Sequence, residues 1–293
     1  MKGGIFAIKT GFGHRIYGPP ATQFNENNAF AIVVLMNIPL LVLWYRETKN
    51  KYLKIVLAAA IPLSAASAIS SQSRGALLTL MVLTLLFIWH SKRKYLVLPL
   101  VIAGIIAVSG ALPEKWFNRM NTIETYETDA SAQGRLVAWK DGIEFAIKNP
   151  LLGSGFDGWR WVTIKDWHNS YVEIMAEHGL IAFSLWMFLL WGTILSLTRL
   201  ARLGRKYRKE LPWITNYSTM IRMALLAYAT GTMFLGLSYW DIMYHLVFIA
   251  VLLKKFAHEE IDALNQKQTE ENAKSAKNAR KFVVTRKQIN EPS

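Results

Sequence analysis

The sequence contains no cysteine, and this absence excludes several kinds of site. Without thiols the chain cannot form disulfides, thiolate metal centres or a cysteine nucleophile. An apolar signal-peptide core is also missing near Met1, where the polar stretch GFGHRIYGPP follows a short glycine-containing segment. Acidic residues are few, because 20 Asp and Glu stand against 34 Lys and Arg, for a net charge of +14. Reactive groups are therefore sought among histidines, arginines and the few carboxylates.

Long apolar runs dominate what is present. Hydrophobic residues make up 52% of the chain, and stretches such as AFAIVVLMNIPLLVLWY have no polar face. Runs of this kind are typical of helices that lie in lipid. The sequence predicts an all-α, polytopic transmembrane helix bundle with about seven helices, near residues 29–45, 55–71, 75–89, 95–112, 179–198, 219–236 and 240–253.

The basic residues predict the topology of these helices. They cluster in short loops at residues 46–54, 92–94, 199–209 and 254–255, which alternating helices place on one side. The positive-inside rule makes that side the cytoplasm. We therefore predict a periplasmic segment at 1–28, four transmembrane helices in 29–112, a periplasmic catalytic loop at 113–168, three more helices in 169–255 and a polar cytoplasmic tail at 256–293. The expected location is a bacterial inner membrane, with the active site facing the periplasm.

The predicted outward N-terminus lacks a targeting signal, and something upstream should carry it across the membrane. We therefore expect the chain to be N-terminally truncated relative to a longer protein with further hydrophobic helices.

The loop between residues 113 and 167 contains an amphipathic helix. Leu136, Trp139, Ile143 and Ile147 recur at helical spacing, whereas the charged residues Arg135, Lys140, Asp141, Glu144 and Lys148 take the other face. This pattern predicts a helix along the membrane surface. Asp129 or Ser131 would cap its start, Glu144 and Lys148 would pair at i,i+4, and Asn149-Pro150 would end it.

Two arginines in or near this outer region are candidate anion ligands. Arg74 lies between two apolar segments, and the short segment after it draws it toward the outer leaflet, where an arginine is costly unless it meets an anion or a wet cavity. Arg135 opens the surface helix, where the free N–H groups of the first turn also favour an anion. Arg74 taken alone is equally compatible with a snorkelling side chain, and for Arg135 taken alone a solvated side chain is favoured.

His168 begins the run HNSYVEIMAEHG, where the loop re-enters the membrane. A histidine at this boundary can exchange protons near neutral pH, although a simple structural histidine has the same pattern. Metal binding by His168 and His178 is disfavoured by their ten-residue separation. A carboxylate pair among Glu124, Glu127, Asp129 and Glu173 stays open, as does sugar stacking on Trp159, Trp161 or Trp167, for which membrane anchoring is favoured.

Three motif blocks, in order, carry a family resemblance. They are Ser73-Arg74-Gly75, then GRLVAWKDGIEFAIKNPLLGSGFDGW with Arg135, Trp139 and the Asn-Pro turn, then His168-Asn169, nine residues and Gly179. Together they resemble the O-antigen ligase and Wzy-type polymerase superfamily over about residues 15–255. The stretch GPPATQFNENNAFA further resembles the O-glycosylation ligases associated with exosortase A.

The resemblance implies an inverting, metal-independent glycosyltransferase that needs no cofactor. It would move a glycan from undecaprenyl diphosphate to an acceptor hydroxyl on a lipid, protein or glycan. Arg74 and Arg135 would bind the diphosphate, and His168 would act as the general base. Asn169, Tyr171 and Glu173 would orient that histidine or a sugar, with Trp139 supporting the site.

Other functions remain open at this point. A Wzy-type polymerase would use the same motifs, and a non-enzymatic polysaccharide export or binding component would use the arginines only to attract glycan. Such a component would tolerate His168→Gln. Nucleic-acid binding is disfavoured because the basic clusters lie beside the membrane, where Lys and Arg accumulate in any case.

Overall fold

The helical prediction can be compared with a computed structural model. The structure describes residues 1–91, 93–114, 116–117 and 130–289. For residues 130–132 and 275–289 it describes the backbone only. Ten α-helices and no strand occur in these described residues, which confirms the all-α bundle. The helices are α1 (Lys2–Lys9), α2 (Asn27–Glu47), α3 (Lys51–Ser70), α4 (Arg74–His90), α5 (Lys94–Ala111), α6 (Ala130–Lys148), α7 (Trp159–Val162), α8 (Ser170–Lys206), α9 (Pro212–Gly231) and α10 (Asp241–Ile289), with a 3₁₀ turn at Thr232–Phe234.

Each of the seven predicted apolar segments overlaps one of these helices. Four of them, α2, α3, α5 and α8, are long and apolar enough to cross a membrane, and α4 is a shorter apolar helix of 17 residues. The chain is therefore an integral membrane protein. Helices α9 and α10 coincide with the last two predicted spans, which stay predictions as membrane crossings.

The centre of the bundle is α9. Five of its residues, Met223, Ala224, Leu225, Ala227 and Tyr228, are completely enclosed. Helices α2, α4, α8 and α10 all pack against it. A helix that is enclosed on every side needs apolar residues all round, and small alanines let its neighbours approach closely. Helix α5, by contrast, has no buried residue and offers its apolar surface to the surroundings.

Helix α1 is absent from the prediction, which treats residues 1–28 only as a polar segment. It packs on α3, and Ala7 is completely buried. Gly4 allows this approach, because a Cβ there would lie 2.0 Å from the carbonyl oxygen of Leu63. The following chain then returns to α3, where the Ile16 amide donates to the Ser70 carbonyl at 3.3 Å.

Helix α8 is broken at Gly179, which has φ 78° and ψ 179°. These angles are essentially accessible only to glycine. The break deprives the carbonyls of Ala176 and Glu177 and the amide of Leu180 of helical partners. In an apolar environment such groups must find other partners inside the protein.

The loop that follows α6 provides those partners. The amides of Ser154 and Gly155 donate to the carbonyls of Ala176 and Glu177 at 2.9 and 2.8 Å. In return, the Leu180 amide donates to the carbonyl of Pro150 at 2.7 Å. The approach is close, since a Cβ on Gly153 would lie 2.5 Å from the carbonyl carbon of Glu177. The Asn-Pro-Leu-Leu-Gly-Ser-Gly stretch and Gly179 are thus two sides of one backbone contact.

We predict that Gly179→Ala strongly destabilises the protein. A Cβ there would lie 2.5 Å from the Pro150 oxygen, in addition to the backbone strain, and together these should cost about 3 kcal/mol or more. Gly192→Ala in the same helix is the control, because a Cβ there meets nothing closer than 3.8 Å. Thermal unfolding of the two detergent-solubilised variants should differ by several degrees, and equal melting temperatures would contradict this account of the break.

Candidate active site

Arg74 is held at the start of α4 by a capped turn. The Ser73 hydroxyl accepts a hydrogen bond from the Ala76 amide at 3.3 Å, which makes Ser73 the N-cap. Gly75 allows close packing, because a Cβ there would lie 3.1 Å from the Cβ of Phe234. The Ser-Arg-Gly block therefore places Arg74 at a helix N-terminus that faces the connection between α9 and α10.

A second arginine, which the sequence analysis missed, lies at the same turn. Arg15 donates through Nε to the Gln72 side chain at 3.1 Å. The Ser70 hydroxyl donates to the backbone carbonyl of His14 at 2.8 Å, which fixes the N-terminal segment across the turn. No local pattern marks Arg15, because only the fold brings residues 15 and 72 together.

Helix α6 is docked on the bundle through a face of small residues. Ala138, Gly142 and Ala146 are buried there, and a Cβ on Gly142 would lie 2.6 Å from the ring of Trp167. The Trp139 indole donates to the carbonyl of Trp167 at 2.7 Å. This bond fixes α6 directly beside the residue that precedes His168.

Two details of the predicted helix need correction. Arg135 is not on the solvated face, because it shares the docked face with Ala138 and Gly142 and its Nε atom is enclosed by protein. The ion pair on α6 joins Lys140 and Glu144 at 3.8 Å, not Glu144 and Lys148.

The predicted apolar residues Leu136, Ile143 and Ile147 are exposed, so they are free to contact lipid. The predicted capping residue Asp129 and the side chain of Ser131 lie outside the described residues, as do Glu124 and Glu127 from the candidate carboxylate pair.

His168 has an unusual backbone conformation, with φ +44°. Such values are uncommon for residues other than glycine and carry strain of roughly 1–3 kcal/mol. Its Nδ1 atom faces the Asp166 carboxylate at 3.7 Å, and its amide donates to the other Asp166 oxygen at 3.4 Å. The imidazole is about one third exposed, so it is accessible to a substrate. Asp166 is a second residue that the sequence analysis missed, although its position two residues before a candidate base is a local signal.

The three residues predicted to support His168 make their described hydrogen bonds elsewhere. The Asn169 side chain caps α8 by accepting from the amides of Tyr171 and Val172 at 2.9 and 3.3 Å. The Tyr171 hydroxyl donates to the Ala229 carbonyl at 2.9 Å. Buried Glu173 accepts from the amide of Ser238 at 3.1 Å and from its hydroxyl. These bonds anchor α8, and the predicted contact with His168 or a sugar stays a prediction.

A second buried network lies one turn further along α8. Glu177 accepts from the Trp167 indole at 3.1 Å and from the Tyr239 hydroxyl. The same hydroxyl lies 2.9 Å from Nε2 of His178. His178 is therefore engaged with Tyr239, and the described residues contain no group of three or more His, Asp or Glu that could hold a metal ion.

The connection between α9 and α10 joins Arg74 to His168. The Ser170 hydroxyl donates to the Leu235 carbonyl at 3.0 Å and accepts from the Leu237 amide at 2.8 Å. Phe234, the neighbour of Leu235, contacts Gly75 as described above. Since Trp139 fixes α6 to Trp167, all three motif blocks meet at one end of the bundle. We call this the site end.

Comparison with known proteins finds one family for this part of the chain. Residues 58–187 match the family described as O-antigen ligase. The matched region includes Arg74, Arg135, Asp166 and His168, together with the loop and the glycine of the α8 break. No curated protein matches the chain. The chain thus contains a region, residues 58–187, that is similar to the O-antigen ligase family of membrane ligases and polymerases.

Proposed function

We propose that the protein transfers a glycan from undecaprenyl diphosphate to an acceptor hydroxyl, with the site end facing the periplasm. The observation that carries this proposal is that three elements of the matched region meet at the site end: the start of α4 with Arg74, helix α6 with Arg135, and the segment with Asp166 and His168. A helix N-terminus and a guanidinium both favour an anion, so the site end suits a diphosphate. The imidazole of His168 is at the same end of the bundle and is about one third exposed, so a substrate can reach it.

The proposed reaction is a single displacement. The acceptor oxygen attacks the anomeric carbon from the face opposite the diphosphate, and the bond between that carbon and the diphosphate oxygen breaks. The acceptor proton passes to Nε2 of His168, which is available as a base when Nδ1–H points toward Asp166. The leaving diphosphate takes the bonding electrons. Arg74 and Arg135 stabilise the negative charge that develops on it.

Two alternatives remain within the proposal. A polymerase would join one lipid-linked glycan to another by the same chemistry, so only the acceptor differs. A binding or export component would attract the glycan without breaking a bond, but it has no need for a strained histidine held beside a carboxylate. The strained backbone of His168 and the carboxylate beside it therefore favour an enzyme over a binding protein. The resemblance to exosortase-associated ligases further suggests a protein acceptor, and the acceptor decides between ligase and polymerase.

The first prediction concerns His168. His168→Asn keeps a residue that accepts a positive φ but removes the proton acceptor, so transfer should fall about 10²- to 10⁴-fold. Arg74→Gln and Arg135→Gln should each lower transfer about 10²-fold or more through weaker charge stabilisation. The readout is the glycan on its acceptor in cells that carry each variant at the native locus, at matched protein levels.

Controls for this experiment come from the same chain. His258→Asn removes an exposed histidine of α10, and Arg160→Gln removes an exposed arginine of α7 that pairs with Asp157. Both should transfer glycan at the wild-type rate. The length of the accumulating lipid-linked glycan separates the alternatives: long chains indicate a ligase, and single repeats indicate a polymerase. Wild-type glycan from His168→Asn, His168→Gln and both arginine variants would refute the catalytic proposal.

A further prediction tests Asp166 as a positioning residue. Asp166→Asn should lower the rate on the order of tenfold, less than in a buried triad, because its side chain is 38% exposed. Donor affinity should be unchanged, since the carboxylate acts through His168. Asp166→Glu should recover part of the rate. An equal loss in both variants, or a loss of donor binding, would assign Asp166 a different role.

A further inference from the structure

The end of the bundle opposite the site end contains an open, basic cavity of about 560 Å³. Its lining includes Arg46 at the end of α2, His90 at the end of α4, Arg93 before α5, and Arg208 and Asn216 around the start of α9. Arg74 and His90 are the two ends of the same 17-residue helix, which separates this cavity from the candidate active site by about 25 Å. We call this the basic end.

The positive charge of the cavity is poorly neutralised. In the part of the chain that the structure describes, Arg46, Arg93 and Arg208 form no ion pair with an Asp or Glu. Glu47, which follows Arg46 in the sequence, accepts a hydrogen bond from the side-chain amide of Asn216 at 3.1 Å. Three arginines that lack an acidic ion-pair partner give the cavity a positive potential, which attracts an anion.

A further buried cation supports the wall of the cavity. Arg222 on α9 is 8% exposed and lies with Nη2 2.6 Å from Nε2 of His90. The other ring nitrogen of His90 lies 2.8 Å from the Leu86 carbonyl and donates to it. His90 therefore presents an acceptor to Arg222, and the arginine adds positive charge immediately behind the cavity.

An apolar groove of about 330 Å³ continues from this cavity into the bundle. Phe87 and Val97 line both spaces, so the two are contiguous. The groove runs between α2, α3, α4 and α5, from Ile88 and Val97 to Ile61 and Leu80. Its one hydroxyl, on Thr84, donates to the Leu80 carbonyl at 2.8 Å and is satisfied within its own helix. The residues that line the groove therefore offer no free polar side chain to a ligand.

We infer that this composite site binds an anionic phospholipid of the surrounding bilayer. The headgroup phosphate is held by Arg46, Arg93 and Arg208, and one acyl chain occupies the groove beside Phe87 and Val97. A soluble anion would contact the arginines of the cavity but leave the apolar groove empty. A neutral lipid would fill the groove but bring no negative charge to the arginines. Basic pockets between transmembrane helices bind anionic headgroups in this way. The lipid would hold the peripheral helix α5, which has no buried residue of its own, against α4.

The test uses the full chain in detergent and measures the binding of phosphatidylglycerol and phosphatidylcholine by native mass spectrometry. Wild-type protein should bind phosphatidylglycerol clearly more tightly. Arg46→Gln combined with Arg208→Gln should weaken that binding about 30-fold, from roughly fivefold for each charge removed. Lys49→Gln combined with Lys254→Gln removes two charges outside the cavity and should change binding less than about threefold.

Two further measurements identify the molecule that binds in the cavity and groove. Ala65→Trp fills the groove without changing the charge, so it should also weaken phosphatidylglycerol binding, while inorganic phosphate should compete poorly with the lipid. Equal binding of the two lipids by wild type, or wild-type binding by the double arginine variant, would overturn the inference. Full competition by inorganic phosphate or preferential binding of undecaprenyl diphosphate would overturn it as well, by assigning the site to a free anion or to a donor lipid.

Discussion

The site depends on how one interrupted helix satisfies its backbone in an apolar environment. Gly179 breaks α8 and deprives carbonyl and amide groups of their helical partners, and the loop after α6 supplies new ones. Lipid offers no substitute for these hydrogen bonds. Because α6 and the loop must return to the break, the segment that carries Arg135 is brought to the start of α8. His168 lies just before that start, held by the cap at Asn169 and by the Trp139 bond to Trp167.

The same constraint explains why three motif blocks that are distant in the sequence lie together in the structure. The first part of α8 is tied by Ser170 and Glu173 to the connection after α9, and this connection lies against Gly75. Arg74 and His168 are therefore positioned by backbone and buried side-chain contacts of their neighbours. In this account, Glu173 and Tyr171 serve the site by holding its frame. The bundle would then have different roles at its two ends, with glycan chemistry at one and lipid recognition at the other.

Much of the fold followed from the sequence because lipid imposes a simple rule. Uninterrupted apolar runs of nearly membrane length define the helices. Their bounds in the structure differ from prediction mainly at α8, α9 and α10, and the short helices α1 and α7 were not predicted. The docked face of α6 was misjudged because small residues, Ala138 and Gly142, pack more closely than the large apolar residues that amphipathic patterns emphasise. Arg15 and Glu177 were missed since their partners lie far away in the sequence. Motif order identified the candidate site, but only the fold shows why Gly153 and Gly179 belong together.

The most direct measurement of the central claim is the reaction of purified full-length chain, in lipid vesicles, with a lipid-linked glycan donor and a hydroxyl acceptor. The account predicts that undecaprenyl diphosphate is released in equal amount to the new glycosidic bond, and that the anomeric configuration of the transferred sugar is inverted. Release that does not depend on the acceptor, or a product with retained configuration, would contradict a single displacement assisted by His168.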